Sequence, residues 1–242
     1  MLITILISGC AGISENTTAP GVTLTLNPTG QGKEVTSGVQ LLVLLTVLSL
    51  APSILILATS FTRIVIVLSL LRNAIGTPTA PPNQVIIGLA LLLTFFSMSP
   101  IIAKINDEAI KPYSANLIDQ DTFLKKTMDP IREFMFKNTR EKDLELFLSV
   151  NKSPRPNSME DIDTIVLMPA FVISELKTAF TMGFVIYVPF LIIDMVVSSI
   201  LLSMGMMMMP PSLVSLPFKL LLFVMVDGWY LISRSLLLSF KV

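Results

Sequence analysis

Four long apolar stretches, separated by short polar turns and one charged block, dominate the pattern of the chain. They cover residues 39–71, 85–103, 165–204 and 212–240. Each is about as long as, or longer than, the roughly 20 residues that a helix needs to cross a bilayer. Residues 76–82, rich in Pro and Thr, join the first two stretches, and residues 204–211 join the last two. The pattern predicts an all-α membrane protein with two helical hairpins, 39–103 and 164–242.

The block between the hairpins, residues 104–163, has a different composition. It contains 22 of the 34 charged residues of the chain, which indicates a solvated insert. Within it, residues 129–150 combine charges with apolar residues at helical spacing, so one or two amphipathic helices are expected there, followed by a loop at 151–158. Arg63 and Arg72 lie by the turn of the first hairpin, and the positive-inside rule places that turn in the cytoplasm. The insert is therefore expected to be extracytoplasmic.

The start of the chain is predicted to be an export signal followed by a linker. Residues 1–10 are apolar and end in small residues, as the end of a secretory signal does, although they contain no basic residue. The sequence before Cys10 also resembles a lipoprotein cleavage site, which is a second interpretation. Residues 11–38 are rich in Thr, Gly, Asn and Pro, which is typical of an exported linker with little order.

Composition excludes most enzyme classes. Hydrophobic residues make up 52% of the 242 residues and charged residues 14%, whereas an ordinary soluble domain carries about 25% charge. The chain has 17 basic and 17 acidic residues, so no nucleic-acid footprint is present. With no histidine and one cysteine, the sequence offers no His/Cys metal site and no histidine-activated nucleophile. We expect no catalytic residue, no cofactor and no metal.

The turn of the second hairpin contains four consecutive methionines, Met206, Met207, Met208 and Met209. Gly205 before them and two prolines after them oppose a continuous helix, so a loop is predicted. Methionine is flexible and polarizable, and can therefore conform to surfaces of varying shape. Three interpretations follow: a hydrophobic constriction that excludes water and ions, a Cu(I) site with thioether ligands, or ordinary packing.

Seven charges lie in the apolar stretches, where each would cost about 2.5–3.5 kcal/mol at a bilayer centre. They are Arg63, Glu175, Lys177, Asp194, Lys219, Asp227 and Arg234. This number favours helices that are buried against other protein, where opposite charges can pair, over helices that face lipid.

Glu175 and Lys219 are the preferred pair among these charges, either within the hairpin or between identical subunits. Snorkelling to water is the alternative. Asp194 could carry a proton in a transporter, but a hydrogen bond between helices, for example to Ser198 or Ser199 of a neighbouring chain, is preferred. Asp227 and Arg234 are seven residues apart, on roughly one face of a helix, and are interpreted as assembly contacts.

Several long motifs, in order from about residue 40 onward, closely resemble the FliP family of flagellar biosynthesis proteins. The main ones are Pro-Ala-Phe-Val-Ile-Ser-Glu-Leu-Lys-Thr-Ala-Phe-Thr-Met-Gly-Phe at 169–184, the methionine turn with its two prolines, Leu-Pro-Phe-Lys-Leu at 216–220 and Val-Asp-Gly-Trp at 226–229. Residues 60–76 and 81–88 match as well.

The resemblance implies a subunit of the flagellar type III secretion export gate, in the bacterial inner membrane and the flagellar basal body. Several copies would join the smaller membrane proteins FliQ and FliR in a ring-forming, closed pore complex that contacts other export proteins and passes unfolded flagellar proteins. It further implies a pore gasket at Met206, Met207 and Met208, with Met209 at a place where the family often has an aliphatic residue. It also implies an acid-base pair between subunits at Glu175 and Lys219, and helices that stand largely above the membrane plane.

Two other functions compete with this one. A virulence injectisome contains a homologous subunit, but its members usually begin close to the first hydrophobic stretch, and the signal-like start favours the flagellar branch. A small ion-coupled transporter with Asp194 as its carrier is the alternative from a different class.

Overall fold

The chain was analysed in a computed structural model that describes residues 41–46, 48–50, 53, 56–151, 161–206 and 208–241. The predicted signal, linker and Cys10, and most of the loop predicted at 151–158, lie outside these residues. The chain divides into two compact units, residues 1–49 and 50–242. Of the first unit, the described residues are helical, and all that follows below concerns the second.

Every regular element of the described residues is helical, which confirms the predicted all-α class. The helices are α1 (Leu41–Leu50), α2 (Phe61–Ile75), α3 (Asn83–Ile105), α4 (Lys111–Ser114), α5 (Gln120–Asn138), α6 (Glu141–Val150), α7 (Thr164–Ser203), α8 (Pro211–Met225) and α9 (Gly228–Leu238). A short π-helix, Asn106–Ile110, connects α3 to α4, so the helix predicted to end at residue 103 continues into the charged insert.

Helix α7, with 40 residues, is the longest of the described helices, and α2, α5, α6 and α8 pack against it. Its first half lines the main core with α2, α3 and α5, where Ile64, Phe134 and Phe171 are buried. Contacts advance in the same direction along α2 and α7, from Arg63 with Glu175 to Asn73 with Tyr187. Since both residue numbers rise together, α2 runs parallel to α7. A second, smaller cluster of Leu71, Ala74, Ile75, Phe190 and Phe223 lies further along α7.

The insert is tied to α7 by polar contacts. The region predicted to hold one or two amphipathic helices contains two, α5 and α6, and α5 begins at Gln120, earlier than predicted. Ser174 of α7 donates a hydrogen bond to Asp143 (2.6 Å) and accepts one from the Arg140 amide (3.0 Å). Burial alone would raise the pKa of Asp143, but hydrogen bonds from Ser174 and Arg140 favour the carboxylate and hold that pKa below its ordinary value.

Two described helical stretches are long and apolar enough to cross a membrane, Asn83–Ser114 and Thr164–Ser203. Helices α8 and α9 qualify only as one broken span, because the chain bends by 63° between them. The prediction of a single apolar helix over 212–240 is therefore wrong in this detail.

The bend lies at Asp227, which takes a left-handed conformation (φ 50°) between the two helices. Asp227 is therefore the N-cap of α9, and Arg234 lies within α9. Their interpretation as assembly contacts concerns other chains and stays a prediction. Gly228 follows, and its Cα lies so close to Phe223 that an added Cβ would be 2.2 Å from two ring carbons. Trp229 then packs edge-on against the same ring, with the centroids 5.4 Å apart. Phe223 can pack this closely against the bend because Gly228 has no side chain.

Replacing Gly228 with Ala should destabilise the bend by about 1–3 kcal/mol, the usual penalty for an overpacked site. Trp229 is the only tryptophan of the chain, so its fluorescence during thermal unfolding in detergent reports on this position. Gly88→Ala is the matched control, because no atom lies within 4 Å of a Cβ added in α3. That variant should gain about 0.5–1 kcal/mol from helix propensity. Equal unfolding temperatures for the two variants would contradict the packing argument.

Candidate functional site

The methionine turn is held by a glycine cap at the end of α7. Gly205 has φ +76°, and the Gly205 and Met206 amides donate to the carbonyls of Leu202 (3.1 Å) and Leu201 (3.0 Å). This pair of bonds is the Schellman motif, which needs a left-handed residue that glycine adopts without strain. Pro211 is the first residue of α8, where its missing amide proton costs nothing. The predicted loop is thus confirmed over its described residues.

The methionine side chains of this turn are largely exposed. Met208 is 99% exposed, and Met204, Met206 and Met209 are exposed to a smaller degree; Met207 lies outside the described residues. Met204, Met206 and Met209 line one end of an apolar groove of about 590 Å³ between α7 and α8. A fully exposed methionine next to an apolar groove is unusual for a surface in water, and indicates that something apolar covers the turn.

Lys219, which is buried, forms the first ion pair, with a partly exposed Asp194. The Lys219 ammonium lies 2.6 Å from Asp194 Oδ2 and also donates to the carbonyl of Ala74 (3.3 Å) near the end of α2. Ser215, one turn before Lys219 in α8, donates to the other carboxylate oxygen (2.6 Å). A cation at a helix C-terminus satisfies a carbonyl that has no partner in the helix. This network therefore fastens α7 and α8 to α2.

Arg63 forms the second ion pair, with Glu175. Its Nε lies 2.8 Å from Glu175 Oε2 and its Nη2 donates to Oε1, while both residues are almost fully buried. The remaining guanidinium nitrogen donates to the carbonyl and the hydroxyl of Ser239 (2.9 Å each), and the guanidinium carbon lies 4.1 Å from the centroid of the Phe240 ring. Arginine can bind a carboxylate with two parallel bonds and stack on an aromatic face, which lysine cannot. Three parts of the fold, α2, α7 and the segment that follows α9, thus meet at Arg63.

The structure does not bring Glu175 and Lys219 of one chain together. Along α7, Glu175 and Asp194 are 19 residues apart, about 28 Å at 1.5 Å per residue. The prediction of a pair within one hairpin is therefore wrong, and Arg63 and Asp194 are the actual partners. A pair between subunits concerns a second chain and stays a prediction.

Other roles in the site were not predicted. The proposed bond from Asp194 to a serine is present, but the donor is Ser215 of the same chain, and Ser198 donates only to the Asp194 main-chain carbonyl. The four-residue spacing of Ser215 and Lys219 on one helix face was a usable signal for this. No sequence signal linked Arg63 to Ser239 and Phe240.

Three charges on the apolar helices remain without an ion pair or hydrogen bond among the described residues: Lys177, Asp227 and Arg234. All three side chains are exposed. Within the same residues, no group of three or more carboxylate, histidine or cysteine side chains is placed to hold a metal ion.

Replacing Glu175 with Ala should lower the stability of the chain by about 3–5 kcal/mol, because it leaves the Arg63 guanidinium buried without its counter-ion. The double variant Arg63→Met, Glu175→Leu should be clearly more stable than Glu175→Ala, since it removes both charges and keeps apolar volume. Thermal unfolding of the purified chain in detergent measures both.

Lys104→Ala is the control for loss of a charge, because the ion pair of Lys104 with Glu133 is exposed on both sides. We expect a change of less than about 1 kcal/mol there. A double variant as unstable as Glu175→Ala would argue that the buried pair is not what holds these elements together.

Comparison with known proteins gives a consistent assignment. The FliP family model matches residues 44–236. The flagellar biosynthetic protein FliP of Bacillus subtilis is 60% identical over 208 residues, 86% of this chain and 94% of that protein. The proteins of that name from Pectobacterium carotovorum and Aquifex aeolicus are 54% and 55% identical, and the matched regions cover 91% and 88% of this chain and 85% and 89% of theirs.

The match includes every helix from α2 to α8, most of α9, both of these ion pairs and the methionine turn. On this evidence the chain belongs to the FliP family.

Proposed function

We propose that this chain is a pore-forming subunit of the flagellar type III protein export gate, which passes unfolded flagellar proteins across the bacterial inner membrane. Several copies assemble with FliQ and FliR, and with other export proteins, at the flagellar basal body. The chain acts by assembly and not by covalent chemistry. Family membership supports the flagellar role, since the relatives are named flagellar biosynthetic proteins.

The length of α7 is the main observation that supports assembly with other protein chains. Its 40 residues make a helix about 60 Å long. Even at a tilt of 40° it would project about 46 Å along the bilayer normal, whereas the hydrocarbon core is about 30 Å thick. Apolar side chains such as Phe184, Met195 and Ile200 are exposed along this length. The part that extends beyond the lipid would be covered by other protein chains.

The methionine turn suits a seal around a pore. The thioether side chains can adapt to a passing polypeptide and can exclude water and ions when none is present. In this proposal Met206, Met207, Met208 and Met209 of several copies converge on the axis. The exposure of Met208 in the single chain supports it, because such a side chain requires an apolar cover that neighbouring copies would supply.

Glu175 of one copy and Lys219 of the next form a further proposed contact. Both side chains are buried and already have partners in their own chain. Assembly therefore requires each to share its partner or to exchange it. Keeping both charges paired before assembly would avoid stranding either in an apolar interface.

Replacing Met206, Met207 and Met208 together with Ala should leave the assembly intact and make the resting cell envelope permeable to small ions. The constriction stays apolar but becomes wider, so ion conductance of membranes with the purified complex should rise at least tenfold. The control replaces Met128 and Met195, which are exposed on α5 and α7, with Ala. Equal ion conductance of the native complex and the variant with three alanines would show that these methionines do not form the seal.

The contact between subunits is tested by the yield of assembled complex for Glu175→Gln, Lys219→Met and the combined variant. Coupling across an interface predicts that the combined loss is smaller than the sum of the two single losses. The pair Glu175→Gln and Lys104→Met serves as the uncoupled reference. Strictly additive losses in both combinations would contradict the proposed contact.

A further inference from the structure

A groove on the side of α7 has a cation, Lys177, in its lining. It has a volume of about 690 Å³ and its lining includes Leu70, Lys177, Phe180, Gly183 and Phe184. Its floor exists because Gly183 has no side chain: a Cβ there would lie 2.3 Å from Leu70 Cδ1 and 3.2 Å from Leu70 Cβ. Phe184 is 70% exposed beside it. The groove is thus apolar and shaped in advance, with one charge at one end.

Lys177 has no ion pair with any other residue that the structure describes. It contributes to lowering the pKa of Asp143, but that carboxylate is already bound by Arg140 and Ser174. An ammonium that faces an apolar groove gains most from a carboxylate that enters together with apolar side chains.

The bend between α8 and α9 presents such a carboxylate. Val224, Met225, Val226 and Tyr230 are exposed around Asp227, and Met225 is 76% exposed. The Asp227 carboxylate is also without an ion pair or hydrogen bond among the described residues. The packing of Phe223 against Gly228 and Trp229 holds this bend in one conformation. An apolar ridge with a single anion therefore lies on the same chain as an apolar groove with a single cation.

Within one chain the two features cannot meet. Lys177 is two residues from Glu175, at the level of Ser239, whereas Asp227 lies close to Phe223, which packs on Phe190. The 13 residues from Lys177 to Phe190 correspond to about 20 Å along α7. If Lys177 pairs with an Asp227 carboxylate, the two residues must therefore belong to different copies of the chain.

We propose that the groove at Lys177 receives the Asp227 bend of a second copy of this chain. The contact is head-to-tail, with each copy using its groove toward one neighbour and its bend toward the other, offset along the α7 axis. Charge complementarity, the exposed apolar surface on both sides and their rigid shape support this partner. The inference rests on the proposed assembly of several copies, but specifies a contact that the pore seal does not require.

Crosslinking between differently tagged copies tests the contact in cells that make the whole export apparatus. Cys10, the only cysteine, is first replaced by Ser. Copies with Lys177→Cys and copies with Asp227→Cys are then co-expressed and treated with a short bismaleimide, because a lysine–carboxylate pair holds Cβ atoms further apart than a disulfide allows. The product with both tags should exceed at least tenfold that from Lys125→Cys with Asp227→Cys, since Lys125 is exposed on α5.

Charge reversal supplies a second measurement. Lys177→Glu and Asp227→Lys should each reduce the amount of oligomer at least tenfold, and the chain with both changes should recover most of it. Lys125→Glu should have no effect. Normal assembly of both single variants, or no recovery in the double variant together with no crosslink, would overturn the contact.

Crosslinking of Met208→Cys copies separates this inference from the proposed function. A crosslinked product at Met208 without one between positions 177 and 227 refutes the Lys177–Asp227 contact but agrees with the proposed pore. A product between 177 and 227 without one at Met208 supports the contact and refutes the convergence of methionines. With neither product, both proposals fail.

Discussion

Neutralising charge inside an apolar helix bundle is the constraint on which this fold depends. An unpaired charge in such surroundings costs several kcal/mol, so each buried charge must have a partner and a full set of hydrogen bonds. Arg63 meets this demand with Glu175, Ser239 and Phe240, and Lys219 meets it with Asp194 and the carbonyl of Ala74. Because these partners come from different helices, satisfying the charges also determines how the helices are arranged.

The two ion pairs act at opposite ends of the packed region. The Arg63 pair joins α2 and α7 to the residues that follow α9, beside the main core, whereas the Lys219 pair joins the α7–α8 hairpin to the end of α2. Between them α2 and α7 run parallel, with Leu70 packed on Gly183. The methionine turn thus extends from a base that is held at two levels. Such a base can present a flexible apolar tip without losing its own shape.

The exposed surface of the chain is explained by the same constraint applied between molecules. Helix α7 is about twice as long as the hydrocarbon core is thick, and much of its apolar surface is uncovered. Neighbouring protein would cover what lipid does not. Lys177 and Asp227 are two of the three charges on the apolar helices that have no ion pair among the described residues, so pairing between copies would complete for the assembly what the two ion pairs achieve within each chain.

The sequence by itself determined the local features of this protein. Apolar stretches predicted the all-α class, Gly205 with the two prolines predicted the methionine turn, and charge alternation predicted amphipathic helices in the insert, because each depends on neighbouring residues. The family could also be identified from its motifs. The bend at Asp227 was missed because no proline marks it, and its cause is the approach of Gly228 to Phe223. Ion-pair partners were missed because Arg63 and Glu175 are 112 residues apart and many charges could have satisfied either one. Only tertiary packing, which places α2 parallel to α7, decides between those partners.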